Sequence, residues 1–105
     1  MEKLTEEHVL KLLHTMNNWK IVNEVWIEKK YRFKHYLTGI EFVKQVGELS
    51  EERNHHPFIA IDYKLVTLKL SSWQAKGLTE LDFELARAFD QFYTNLKKEV
   101  DKIYN

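Results

Sequence analysis

Cysteine is absent from this 105-residue chain, which excludes disulfides, thiolate metal sites and a cysteine nucleophile together. A cysteine-free composition fits a reducing compartment, and the expected location is the cytoplasm. Proline occurs once, at Pro57, and glycine only at Gly39, Gly47 and Gly77. With so few breakers the chain should run in long regular elements. No repeat, low-complexity tract or linker divides it. Residues 1–105 are therefore read as one domain, long enough for a single two-layer core. Charge of one sign is not in excess: 16 Lys and Arg balance 16 Asp and Glu. Direct nucleic-acid binding draws on phosphate neutralisation and is not expected. The N-terminus has no apolar h-region, and no apolar run reaches the length of a membrane span, so no membrane association is expected.

What the chain has in quantity is aromatic side chains: Trp19, Trp26 and Trp73, with five Tyr and six Phe. That load is foreign to a disordered chain. Thr5 can cap a first helix, with Val9, Leu12, Leu13 and Met16 at helical spacing and Asn17-Asn18 to stop it. Trp19 to Val22 reads as a short strand and Asn23-Glu24 as a turn. From Val25 onward Ile27, Tyr31 and Phe33 alternate with Glu28, Lys30 and Arg32, the period of a half-buried strand. Trp26 breaks that pattern and is expected at an edge or interface. Thr38 and Glu41 have capping-box spacing, and Phe42, Val43, Val46 and Leu49 form an apolar stripe behind them. This second helix should end near Asn54, because Pro57 biases His56 to extended geometry.

Phe58 to Tyr63 and Leu65 to Leu70 read as strands of an antiparallel hairpin with a turn at Tyr63-Lys64. Ser71 to Leu78 is a loop. Thr79 and Asp82 look like the start of a third helix whose apolar face is Phe83, Ala86, Phe89, Tyr93, Leu96 and Val100. The order α-β-β-α-β-β-α predicts an α+β fold, a two-layer arrangement in which three helices cover one face of a four-stranded antiparallel sheet. Its two edges are guarded only by scattered charges, so self-association is expected.

The chemistry-bearing segment is Glu51-Glu52-Arg53-Asn54-His55-His56-Pro57, a connection between helix and strand. Connections carry function more often than packed elements do, and imidazoles serve as acids or bases near neutral pH. Counting outward from the hairpin turn puts His55 opposite Ser72 and Asn54 opposite Trp73. Glu51 lies one helical turn before His55. Glu51, both histidines and Ser71 to Gln74 should therefore converge at one end of the sheet. Adjacent strand residues point to opposite faces, so the two histidines share a pocket only if the chain there is irregular. No third His or Cys stands at a zinc-ligand spacing, and no metal is expected. Read without further context, a His-His-Pro run is more often a solvated loop than a site, Trp73 is more often packing, and Asp82 is accounted for as a capping carboxylate.

The full spacing is more specific. Glu51, three residues, His55-His56-Pro57, five residues, Tyr63, nine residues, Trp73, eight residues and Asp82 together resemble the signature of the pterin-4a-carbinolamine dehydratases. That family is also known as the dimerization cofactor of a homeodomain transcription factor. The resemblance runs from Trp19 through the last helix. It implies dehydration of 4a-hydroxytetrahydropterin to quinonoid dihydropterin during tetrahydrobiopterin recycling, without metal or organic cofactor. It also implies homodimers or homotetramers, with dimers joined at sheet edges. By analogy His55 is a general acid at the 4a-hydroxyl, His56 binds and orients the pterin, and Glu51 assists proton transfer or tunes the histidines. Asn54, Ser71, Ser72, Trp73 and Gln74 would line the pterin site, and Pro57, Tyr63 and Asp82 complete the signature. Trp73 is a departure, because many members carry a third histidine there. Indole is no acid at neutral pH, but it can stack on a planar ring. The competing expectation is a protein of the same fold that binds a pterin or a protein partner without turnover, in the manner of a transcriptional coactivator.

Overall fold

The computed structural model describes residues 2–104. Its elements are α1 (Glu6–His14), β1 (Lys20–Val22), β2 (Trp26–Arg32), α2 (Tyr36–Arg53), β3 (Phe58–Asp62), β4 (Leu65–Leu70) and α3 (Glu80–Tyr104). The four strands form one antiparallel sheet in the order β1-β2-β4-β3. The α+β architecture and the α-β-β-α-β-β-α order are those the periodicity predicts.

Local chemistry explains most boundaries. Thr5 caps α1, its hydroxyl accepting from the His8 N–H at 3.1 Å, which satisfies an amide the helix cannot. The β1–β2 turn passes through Asn23 and Glu24, both at positive φ (52° and 66°). In the β3–β4 hairpin Asp62 pairs with Leu65, the register expected of a two-residue turn, and Tyr63 takes φ 52°. One boundary differs from expectation. The second helix starts at Tyr36 with His35 as N-cap, and no side chain caps it, so Thr38 lies inside the first turn. The early start puts Gly39 against Phe33: a Cβ on Gly39 would stand 3.3 Å from the Phe33 ring. The expected Thr38–Glu41 capping box therefore does not form the helix start, and the absence of a side chain at Gly39 accommodates the Phe33 ring beside the first turn.

The core lies between the helices and one sheet face. Ile27, Tyr31, Val66, Leu68 and Leu70 from the strands meet Phe42 and Val46 of α2 and Phe83, Leu85, Ala86 and Phe89 of α3, all buried. A polar group sits within it. Lys29, inward-facing on β2, donates to Asp90 of α3 at 2.8 Å, and the Tyr31 hydroxyl donates to the same carboxylate oxygen at 2.6 Å. The Trp19 indole N–H also donates to Asp90. Burial first, and then the Asp90 charge and hydrogen bond, push the Tyr31 phenol well above its ordinary pKa. It therefore stays a donor throughout the ordinary pH range.

Candidate active site

The site is built at the end of the sheet where α2 delivers the chain to β3. At Asn54 the backbone turns left-handed, φ 49°, ψ 45°, a conformation asparagine tolerates better than most residues. The His55 N–H reaches back to Ser50 O at 3.0 Å, closing the helix end in a Schellman pattern. His55, His56 and Pro57 then run outside regular structure before β3 begins at Phe58. That irregular run is what lets both imidazoles line one cleft.

The facing wall is the loop after β4. Ser72 and Gly77 exchange backbone hydrogen bonds, Ser72 N to Gly77 O at 2.9 Å and Gly77 N to Ser72 O at 3.3 Å. This isolated bridge holds residues 73–76 out as a small loop with Trp73 81% exposed. A cleft of about 490 Å³ lies between the walls, lined by Asn54, His55, His56, Ser71, Ser72, Trp73, Gln74, Ala75, Thr79 and Leu81. Its size suits a small heterocyclic ligand.

At its base is Asp82, fully buried. Oδ2 accepts from the Thr79 N–H at 2.8 Å and the Ser72 hydroxyl at 2.7 Å, while Oδ1 stands 2.7 Å from His55 Nε2. Ser72 Oγ is also 2.9 Å from Thr79 Oγ1. Burying a carboxylate is costly unless donors surround it, and here three converge. A carboxylate accepting at Oδ1 is matched by the Nε2–H form of the His55 ring, which leaves Nδ1 outside this contact. The side chain of His55 is 15% exposed, enough for contact from the cleft alone. His56 is more open, and its Nε2 hydrogen-bonds to Glu51.

The structure thus brings Glu51, Asn54, His55, His56, Ser71, Ser72, Trp73, Gln74 and Asp82 together. Ser71 spends its hydroxyl on Val25 O at 2.6 Å, which leaves its backbone for any ligand. Tyr63 is elsewhere: it sits in the β3–β4 turn at the opposite end of the sheet, stacked on Tyr36 at 6.1 Å. Among the described residues no three His, Asp or Glu side chains gather to hold a metal ion. Sequence reasoning missed the contact between Asp82 and His55. Thr79 and Asp82 were legible as a helix start, but no periodicity joins that start to a histidine 27 residues earlier.

Comparison with known proteins is concordant. A family model described as Pterin 4 alpha carbinolamine dehydratase matches residues 2–92. A Sulfurisphaera tokodaii protein provisionally named pterin-4-alpha-carbinolamine dehydratase is 35% identical over 94 residues, covering 90% of this chain and all of that one. A similarly named Picosynechococcus protein is 37% identical over 89 residues, 85% of this chain and 96% of its own. Among solved structures, a transcriptional coactivator/pterin dehydratase from Brucella melitensis superposes with TM-score 0.84 at 28% identity, covering 88% and 99% of the two chains. A pterin dehydratase-like RuBisCO assembly factor of the alpha-carboxysome shares the fold, with TM-score 0.65 at 23% identity over 76% of this chain and 94% of that one.

Proposed function

The chain belongs to the pterin-4a-carbinolamine dehydratase family, and on that premise we propose that it dehydrates a 4a-hydroxytetrahydropterin to the quinonoid dihydropterin, a hydro-lyase step of tetrahydrobiopterin recycling. The observation that carries the reading is His55, held by buried Asp82 and turned to a cleft of pterin size.

The reaction breaks C4a–O and makes C4a=N5. One proton goes to the departing hydroxyl, which leaves as water, and one leaves N5, so the enzyme's net proton count is unchanged and the cycle closes when His56 releases its proton to water and His55 takes one up. The imidazolium of His55 donates to the hydroxyl oxygen from Nδ1 while Asp82 holds Nε2–H and stabilises the charged ring. His56, polarised by Glu51, binds the pterin and accepts the N5 proton. Trp73 offers an aromatic surface to the ring, and the backbone of Ser71 and Gln74, on either side of the residues tied to Gly77 and Lys76, offers polar groups to its edge.

The protein acts in this reading as a cytoplasmic homodimer or homotetramer with no added cofactor. The test is dehydration of carbinolamine generated in situ by a pterin-dependent hydroxylase, comparing wild type, His55→Ala and no protein. The expected result is acceleration by wild type that falls about a hundredfold or more in His55→Ala. No acceleration by folded wild type would sink the reading. With Trp73 in place of a third histidine, His55→Ala should leave less residual rate here than in a three-histidine relative.

A second reading, a partner-binding factor with little turnover, draws on the coactivator name carried by the Brucella structure. Stoichiometric capture of one partner without pterin affinity would favour it.

A further inference from the structure

The sheet face away from the helices carries an aromatic strip that begins at the cleft. Trp26 stands there in phase with Glu28 and Lys30, an apolar residue in a polar row. Its indole meets that of Trp73 edge to face, with centroids 6.3 Å apart and planes at 89°. The Lys69 ammonium lies 5.5 Å from the Trp26 ring centroid and 4.5 Å from that of Phe58. From β3 across β4 to β2 and on into the cleft wall, the strip reads Phe58, Lys69, Trp26, Trp73.

Two features of this strip call for a ligand. Trp73 is 81% exposed and Phe58 49% exposed, with half-buried Trp26 between them, and exposed apolar patches mark binding surfaces. The cation is aligned by two rings, and among the described residues no carboxylate lies within ion-pair distance of it. Glu28, its register partner on β2, is the charge any anionic ligand must compete with.

The cleft's inner wall is closed by the buried Ser72, Thr79 and Asp82. Of the cleft's other sides, one passes His56 and its partner Glu51, and one passes Trp73 toward the strip. Glu51 repels an anionic tail on the first route, while Lys69 attracts one on the second.

We propose that the strip is a subsite for the substituent on carbon 6 of the pterin, and that the preferred substrate carries an aryl group and a carboxylate there in place of a short polyol chain. The aryl group fits the right-angled corner between the two indoles, face-on to one and edge-on to the other, and the carboxylate pairs with Lys69. The proposal rests on the dehydratase reading and deepens it by naming the substrate class.

The probes are dihydrofolate, which has an aryl carboxylate tail, and dihydrobiopterin, which has a short polyol. Both are titrated against tryptophan fluorescence in wild type, Lys69→Met and Phe58→Ser, beside a dehydration assay with 4a-hydroxytetrahydrobiopterin. Wild type should bind dihydrofolate about tenfold more tightly than dihydrobiopterin. Lys69→Met should erase that preference while changing dihydrobiopterin affinity by less than about twofold, and Phe58→Ser should reduce it. Equal affinities with intact turnover, or a preference that survives Lys69→Met, overturn the subsite and leave the dehydratase reading standing. Absence of both pterin binding and turnover in folded wild type overturns the dehydratase reading itself.

Discussion

At the scale of single residues, the site depends on Asp82 more than its place in the sequence suggests. One carboxylate caps α3 through Thr79, ties down the β4 loop through Ser72 and orients His55. Asparagine at this position keeps the size and can still accept the Thr79 N–H. It lacks the charge that stabilises a protonated imidazole, and its amide end can turn a donor toward the ring. Asp82→Asn should therefore lower kcat about a hundredfold or more, with a much smaller effect on KM and a native circular dichroism spectrum. A kcat within a few fold of wild type would show that the His55–Asp82 contact is only structural. The other histidine differs in kind: the His56–Glu51 pair is exposed, and exposed pairs contribute little to stability. The role proposed for it is toward the pterin and not toward stability.

At the scale of elements, α3 is held to β2 by a polar group as well as by apolar packing. Lys29 occupies an inward position of β2, with its side chain 10% exposed. Asp90 satisfies it and also accepts from Tyr31 and Trp19. Removing the carboxylate leaves a buried ammonium and two buried donors without a partner. Asp90→Ala should cost about 3 to 5 kcal/mol in urea unfolding. The double variant Lys29→Met with Asp90→Ala should recover a large part of that loss, because the stranded charge is gone. If the double variant is no more stable than Asp90→Ala, the cost lies in the Trp19 and Tyr31 hydrogen bonds instead. The Tyr31 phenol adds a pH dependence of known sign. Its folded pKa is raised above the unfolded value, so its contribution is fully present below about pH 10 and is lost as the solution becomes more alkaline.

At the scale of the molecule, the sheet ends in two unequal edges. β1 has three residues, a length that offers little to pair with. β3 has five and shows Ile61 on one face and Phe58 on the other, with Tyr63 and Tyr36 exposed beyond its end. It is the edge on which the proposed self-association would rest. Light scattering should report an oligomer for wild type, and Ile61→Lys should shift it toward monomer without unfolding it. A wild-type monomer at micromolar concentration would remove this edge from the functional account.

How far the sequence reached follows from the range of each interaction. Strand alternation, the helix stripe ending at Asn54 and the two-residue turn at Tyr63-Lys64 are local patterns. They determined the elements and the hairpin register, because a register once started has no freedom until the strand ends, and with it the end of the sheet at which His55 and Ser72 both lie. Only the tertiary structure decided what lies far apart in sequence. It paired β2 with β4 at the centre of the sheet, joined Lys29 to Asp90 and brought Asp82 under His55. It also starts α2 at Tyr36 without a side-chain cap, so that Thr38 falls inside the first turn and a capping preference worth about 1 kcal/mol goes unused. A buried charge takes whichever donors the packed layers bring to it, and periodicity within one segment carries no information about which those are.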